Sequence, residues 1–177
     1  MGTVGQVKNK DKIHVVNSIE DIQSLEISHE TKIGVVTQTT LSVNDTRDLM
    51  NELYKKFDNI MNKSYINICY ATTNRQNAVA ELVKMTQNII IVGSKNSSNS
   101  TQLKNVALQC GAKQAWLIDD YSELDINKTD SCQSIGISAG ASAPEYLVDE
   151  LIDFLKQRYD NININDVIVT EENISFK

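Results

Sequence analysis

Long apolar runs are missing from this chain. They stop at four or five residues, far short of the roughly 20 needed to cross a bilayer as a helix, so no spanning segment is expected. The opening stretch, MGTVGQVKNKDKIHVV, has no apolar block between a basic start and a small-residue cleavage site. That speaks against a secretion signal and makes a cytoplasmic protein the expectation. Positive charge is also in deficit. There are 17 basic and 23 acidic residues, a net charge of −6, which argues against nucleic acid as a partner. Any anion site must then be built locally, from backbone N–H groups, hydroxyls, amides and a few cations. Cysteine is scarce. Cys69, Cys110 and Cys132 form no CxxC pair, and an odd count speaks against a disulfide framework. The expectation is free thiols, mostly buried. Neither GxxxxGKS nor a strand followed by GxGxxG occurs, which disfavours Walker-type and Rossmann nucleotide sites.

What is present is an alternation of strand and helix signals. Strands are expected at Lys12–Val16, Lys32–Thr37, Tyr65–Tyr70, Asn88–Gly93, Gln114–Ile118 and Gln133–Ile137, with a tail strand over Asp166–Thr170. Between them stand helix starts. Ser18-Ile19-Glu20-Asp21 and Thr73-Asn74-Arg75-Gln76 resemble capping boxes. Ser42 precedes Leu49, Met50, Leu53 and Phe57 at helical spacing. The single proline, Pro144, suits the first turn of a helix bearing Leu147, Leu151 and Leu155. Gly111 suits a helix C-terminal cap just after Cys110. The pattern predicts an α/β fold of parallel sheets with flanking helices.

Such sheets bind ligands beyond the carboxyl ends of their strands, so the loops there are read together. They are TQTTLS (residues 37–42), CYATTNRQ (69–76), GSKNSSNS (93–100) and SAGASAPE (138–145). Within residues 94–100, six of the seven side chains are Ser or Asn. One such loop is an ordinary N-cap, stabilising by about 1 kcal/mol. Four on successive strand ends point to a site for phosphate oxygens made of hydroxyls and helix N-termini. His14 and His29 lie away from these loops.

In order and spacing, TQTTLSVNDT, ICYATTNRQ, VGSKNSSNS and ISAGASAPE resemble the C-terminal two-thirds of the LytB family, the 4-hydroxy-3-methylbut-2-enyl diphosphate reductases. The resemblance extends from GTVGQ to TEENISF. It implies a trefoil-like arrangement of three α/β domains around a central [4Fe-4S] cluster. It also implies a reaction of the non-mevalonate isoprenoid pathway. The allylic hydroxyl of an isoprenoid diphosphate is removed with two electrons and protons, giving isopentenyl and dimethylallyl diphosphate, with ferredoxin or flavodoxin as electron donor. By the same resemblance, Cys69 matches one of three cluster cysteines. Ser97, Ser98, Asn99 and Ser142 match diphosphate contacts. Thr39 matches a threonine beside the reacting hydroxyl, with Thr40 next to it.

The other two cluster cysteines, the histidines around the diphosphate and a proton-transfer glutamate have no counterpart in this sequence. On the family pattern, residues 1–66 are a remnant of a middle α/β domain, residues 67–155 a third α/β domain, and residues 156–177 a tail strand. Three functional readings follow. The chain is part of the reductase, active with an N-terminal part supplied elsewhere. It is a non-catalytic fragment. Or it is a stand-alone phosphate-binding module, for which Lys95 and Arg75 are the nearest cations.

Overall fold

In a computed structural model, residues 2–5, 8–61 and 68–169 are described. The chain divides into two compact units: residues 1–37 with 44–67, and residues 38–43 with 68–177. Among the described residues, no helix is long and apolar enough to cross a membrane.

The first unit is built from short pieces. They are α1 (Gly2–Gly5), a 3-10 turn at Lys10–Lys12, α2 (Ile19–Gln23), β1 (Ile33–Gly34), α3 (Val43–Lys56) and β2 (Ile60–Met61). α2 opens on the expected capping box: Ser18 Oγ accepts from the Asp21 N–H at 3.1 Å and Asp21 Oδ2 from the Ser18 N–H at 3.1 Å. Its other end is closed from afar. Lys56 Nζ donates to the carbonyls of Ile22, Gln23 and Leu25 at 2.9, 2.6 and 2.9 Å, placing a cation where the helix dipole is negative. The helical spacing read in the sequence is realised: Met50, Leu53 and Phe57 are buried with Ile22 and Ile60, and Leu49 packs beside them.

Several expected strands shrink or vanish here. Lys12–Val16 forms no strand; the 3-10 turn takes its start, and Val15 is 64% exposed. The apolar run has the propensity but no partner strand among the described residues, and pairing decides. Lys32–Thr37 contracts to Ile33–Gly34, which pairs in parallel with β2, a strand not foreseen. The expected Tyr65–Tyr70 strand lies outside the described residues as far as Asn67, and Tyr70 already begins a helix.

The second unit holds α4 (Tyr70–Met85), β3 (Asn88–Val92), α5 (Ser98–Gln109), β4 (Gln114–Ile118), a 3-10 turn at Tyr121–Glu123, α6 (Ile126–Thr129), β5 (Gly136–Ala139) and α7 (Glu145–Arg158). Its sheet is parallel, with order β4-β3-β5 and the register Ile90↔Trp116 and Ile90↔Ile137. β3 is central and buried on both faces, as its unbroken apolar run requires. Alternation along the strand splits the core. Ile89 and Ile91 pack with Val79, Val83, Leu103 and Val106 of α4 and α5. Ile90 and Val92 pack with Ile118, Leu151 and Leu155 on the face that α7 covers. Ile89, Ile90 and Ile91 are each 0% exposed, and burying a side chain of this size stabilises by roughly 1.5–3 kcal/mol.

Local differences from expectation have local causes. Thr73–Gln76 is interior to α4, whose N-cap is Cys69 without a side-chain cap bond; tertiary bonds to Gln76 outweigh the capping-box pattern. β5 begins at Gly136, three residues later than the sequence pattern suggests. A Cβ at Gly136 would stand 2.8 Å from Ile89 Cδ1, so the glycine sets where β5 can close on β3. Pro144 is the N-cap of α7, just ahead of the first turn. Asp166–Val169 forms no strand, and Thr170 lies outside the described residues. Cys110 is exposed, because it caps the end of α5 on the solvent side.

Candidate functional site

The switch point of the second sheet lies between β3 and β5, whose following helices, α5 and α7, pack on opposite faces of the sheet. Ligands of open parallel sheets bind there. Two glycines allow the backbones to meet. Gly93 follows β3 at φ +153°, and Gly140 follows β5 with its N–H donating to the Val92 carbonyl at 2.9 Å. A Cβ on either would collide with Ser100 Oγ, so Ser100, 1% exposed, packs into the space that both glycines leave.

Beyond this junction lies a cavity of about 430 Å³. One wall is the start of α5, with Ser97, Ser98 and Asn99; a second is the turn after β5, with Ala141 and Ser142. The third is the start of α4, with Cys69 and Thr72, joined by Thr39 and Thr40 from the loop of residues 38–42. Every site residue read from the sequence therefore meets here, drawn from four loops and all within the second unit. Thr72 and Ala141 were not foreseen. Thr72 was legible in principle, since it stands three residues after Cys69 and falls on the same helical face.

Each lining group has a local reason for its orientation. Ser97 is the N-cap of α5, and its Oγ accepts from the Ser100 N–H at 3.3 Å. Its hydroxyl proton remains for a second partner. Asn99, 7% exposed, has both its amide oxygen and its amide nitrogen buried without a partner. These are two of four such side-chain atoms among the described residues; an orphaned buried polar group costs about 1–3 kcal/mol, which a ligand bearing acceptors would offset at the donor Nδ2. Cys69 is exposed at the α4 N-cap, and its N–H donates to the Thr39 carbonyl at 3.1 Å.

The nearby cations are engaged elsewhere. Lys95 Nζ pairs with Glu123 at 2.8 Å, and the Lys95 N–H donates to Asp119 Oδ1 at 3.2 Å. The hydrogen bond from Lys95 holds the Glu123 carboxyl below its ordinary range, and the Lys95 amine is raised in return. Arg75 Nη1 donates to the Ala139 carbonyl at 2.8 Å. Among the described residues lining the cavity none is charged, so its polarity comes from hydroxyls, an amide and the two helix N-termini. A second, polar groove of about 330 Å³ opens at the other end of the strands, lined in part by Asn88, Gln114 and Cys132. Burial raises the Cys132 thiol above its ordinary value. The three cysteines thus occupy the cavity mouth, a helix end and the opposite rim of the sheet.

Comparison with known proteins bears on this geometry. The family pattern described as LytB protein matches residues 1–156. The chain belongs to the LytB family. Its LytB relatives include the 4-hydroxy-3-methylbut-2-enyl diphosphate reductase of Ehrlichia ruminantium strain Gardel, 44% identical over 175 residues, covering 99% of this chain and 52% of that protein. The protein of the same name from Actinobacillus pleuropneumoniae serotype 5b is 43% identical over 178 residues, covering 100% of this chain and 56% of that one. Among solved structures, the E-1-hydroxy-2-methyl-but-2-enyl-4-diphosphate reductase from Plasmodium falciparum superposes with a TM-score of 0.72 at 29% identity, over 80% of this chain and 44% of that one. The chain spans about half the length of the curated LytB relatives it matches, a smaller share than the two-thirds suggested by the motifs.

Proposed function

We propose that this chain furnishes the diphosphate-binding part of a 4-hydroxy-3-methylbut-2-enyl diphosphate reductase. It would act with a further polypeptide portion that completes the centre. In this reading residues 1–66 belong to a middle α/β domain and residues 67–155 to a third, within a three-domain trefoil. The observation that carries the proposal is the meeting of Thr39, Cys69, Ser97, Asn99 and Ser142 on one cavity, with the Asn99 amide buried and unpartnered.

The roles follow from the chemistry of each group. Ser97, Ser98 and Ser142 donate hydroxyl protons to phosphoryl oxygens, and Asn99 donates through Nδ2. The α5 N-terminus adds a positive partial charge. Thr39 stands beside the substrate hydroxyl that leaves, where its own hydroxyl orients or relays a proton, and Thr40 stands next to it. Overall, the allylic C–O bond breaks, a C–H bond forms, and the hydroxyl departs as water with two electrons and two protons consumed. A ferredoxin or flavodoxin would deliver the electrons.

A [4Fe-4S] cluster would supply the electron-transfer chemistry. Cluster irons are held by several thiolates at one point. The described residues around the cavity bring a single thiol, Cys69, exposed and at the mouth. They do not hold a cluster by themselves, so Cys69 would be one ligand among several. A stand-alone phosphate binder is the less favoured reading, because Lys95 and Arg75 are tied to Glu123 and Ala139.

Anaerobic reconstitution with iron and sulfide tests the proposal. The chain mixed with a portion bearing the two further cysteines should develop brown absorbance, and Cys69→Ser should abolish it. A stable cluster on this chain that survives Cys69→Ser would overturn the assignment.

A further inference from the structure

Gln76 lies two turns along α4 from Cys69 and is 5% exposed. Both ends of its amide are used. Oε1 accepts from the Val43 N–H at 2.9 Å, and Nε2 donates to the Leu41 carbonyl at 2.8 Å. A donor facing a carbonyl and an acceptor facing an N–H fix the orientation of the amide. Leu41 and Val43 flank the buried Ser42 and follow directly on Thr39 and Thr40. The same loop is held at its start, where the Cys69 N–H donates to the Thr39 carbonyl at 3.1 Å. One helix therefore grips the hydroxyl-bearing segment twice, through its N-cap and through a buried side chain. The preceding residue, Arg75, ties α4 to the end of β5 at Ala139, just before the turn carrying Ser142.

We propose that Gln76 is a positioning residue of the cavity. It sets the placement of the Thr39 and Thr40 hydroxyls relative to the Cys69 thiol, acting through the backbone of residues 41–43. The functional part of this inference rests on the reading of the cavity as a diphosphate site with Cys69 at its mouth. The reason is geometric. Reacting groups must be held to within about 0.5 Å by partners whose own rotamers are locked, and residues 38–42 contain no helix or strand to do so. Gln76 replaces that missing regular structure with two bonds in a buried setting, where a lost partner leaves a backbone group unsatisfied.

Two variants of the full chain separate the roles of the two bonds. Gln76→Ala removes both. Gln76→Glu keeps an acceptor for the Val43 N–H but sets a carboxylate oxygen against the Leu41 carbonyl. Two measurements need no ligand: backbone amide exchange at Val43 and Cys69, and iodoacetamide alkylation of Cys69 relative to the exposed Cys110. In Gln76→Ala, both amides should exchange roughly tenfold faster and the Cys69 to Cys110 alkylation ratio should change several-fold, while β3 amides stay protected. In Gln76→Glu, Val43 should stay slow while the Cys69 amide and the alkylation ratio shift. Folded variants with wild-type values for Cys69 would overturn the proposal, and Gln76→Glu decides it if Gln76→Ala does not fold. Inorganic pyrophosphate supplies a separate arm. It should slow Cys69 alkylation in the wild-type chain and do so less well in Gln76→Glu. Failure in the wild type would overturn the diphosphate reading, while the ligand-free exchange still decides the role of Gln76.

Discussion

Asn99 carries a conflict between folding and function that can be measured. Its amide is buried with neither end partnered, yet it stands in the first turn of α5, where alanine is the better helix former. Asn99→Ala should therefore raise the stability of the ligand-free chain by about 1 kcal/mol, read as a higher denaturant midpoint. The same variant should weaken diphosphate binding. With neutral donors lining the cavity, an isoprenoid diphosphate should bind this chain near millimolar strength, about −4 kcal/mol, and calorimetry should find the variant weaker still. An Asn99→Ala chain that is destabilised would mean the amide has a structural partner and is not held in reserve for a ligand. The SSN cluster was legible because six polar residues after one buried strand exceed what a turn needs. That Ser97 also caps α5 was the ordinary explanation of the same residue, and both hold: one oxygen accepts from Ser100 while its proton remains available.

At the scale of elements, the cavity depends on how closely the ends of β3 and β5 approach. Gly93 and Gly140 both border Ser100 Oγ, so added methyl groups test that approach. Gly140→Ala should destabilise by about 1–3 kcal/mol through overpacking, and adding Ser100→Ala should recover a large part of the loss. Gly93→Ala should not be rescued in the same way, because φ +153° is itself unfavourable for a side-chain-bearing residue. Chemical denaturation of the two double mutants checks the contrast; equal rescue of both would remove the backbone term from the explanation. Neither glycine could be assigned this role from its sequence neighbours, because the atom that each would strike belongs to α5.

At the scale of the molecule, the two units differ in how their sheets are protected. β3 is flanked by strands on both sides and its side chains from Ile89 to Val92 are all 0% exposed. Among the described residues β1 and β2 form a two-stranded pair, two residues each, which is below what is stable by itself. Hydrogen exchange should therefore show Ile89–Val92 among the slowest amides and Ile13–Val16, which form no strand, among the fastest. Comparably slow exchange in both stretches would contradict this difference.

The sequence by itself determined the α/β class, β3, β4, α3, α5 and α7 to within a few residues, and the polar residues of the candidate site. These are signals of short range: apolar periodicity, a glycine near a helix end, a capping box at Ser18, hydroxyls following a buried run. Only the tertiary structure decided which apolar runs became strands. Val15 and Val36 have the same side chain as Val92, but the first two are 64% and 70% exposed and the third 0%. Propensity is local, whereas pairing and burial depend on what the rest of the chain brings alongside. Gln76 makes the same point at the site. Its spacing suggested a cap, and its function came from Leu41 and Val43, more than thirty residues away in sequence and adjacent only once the chain has folded.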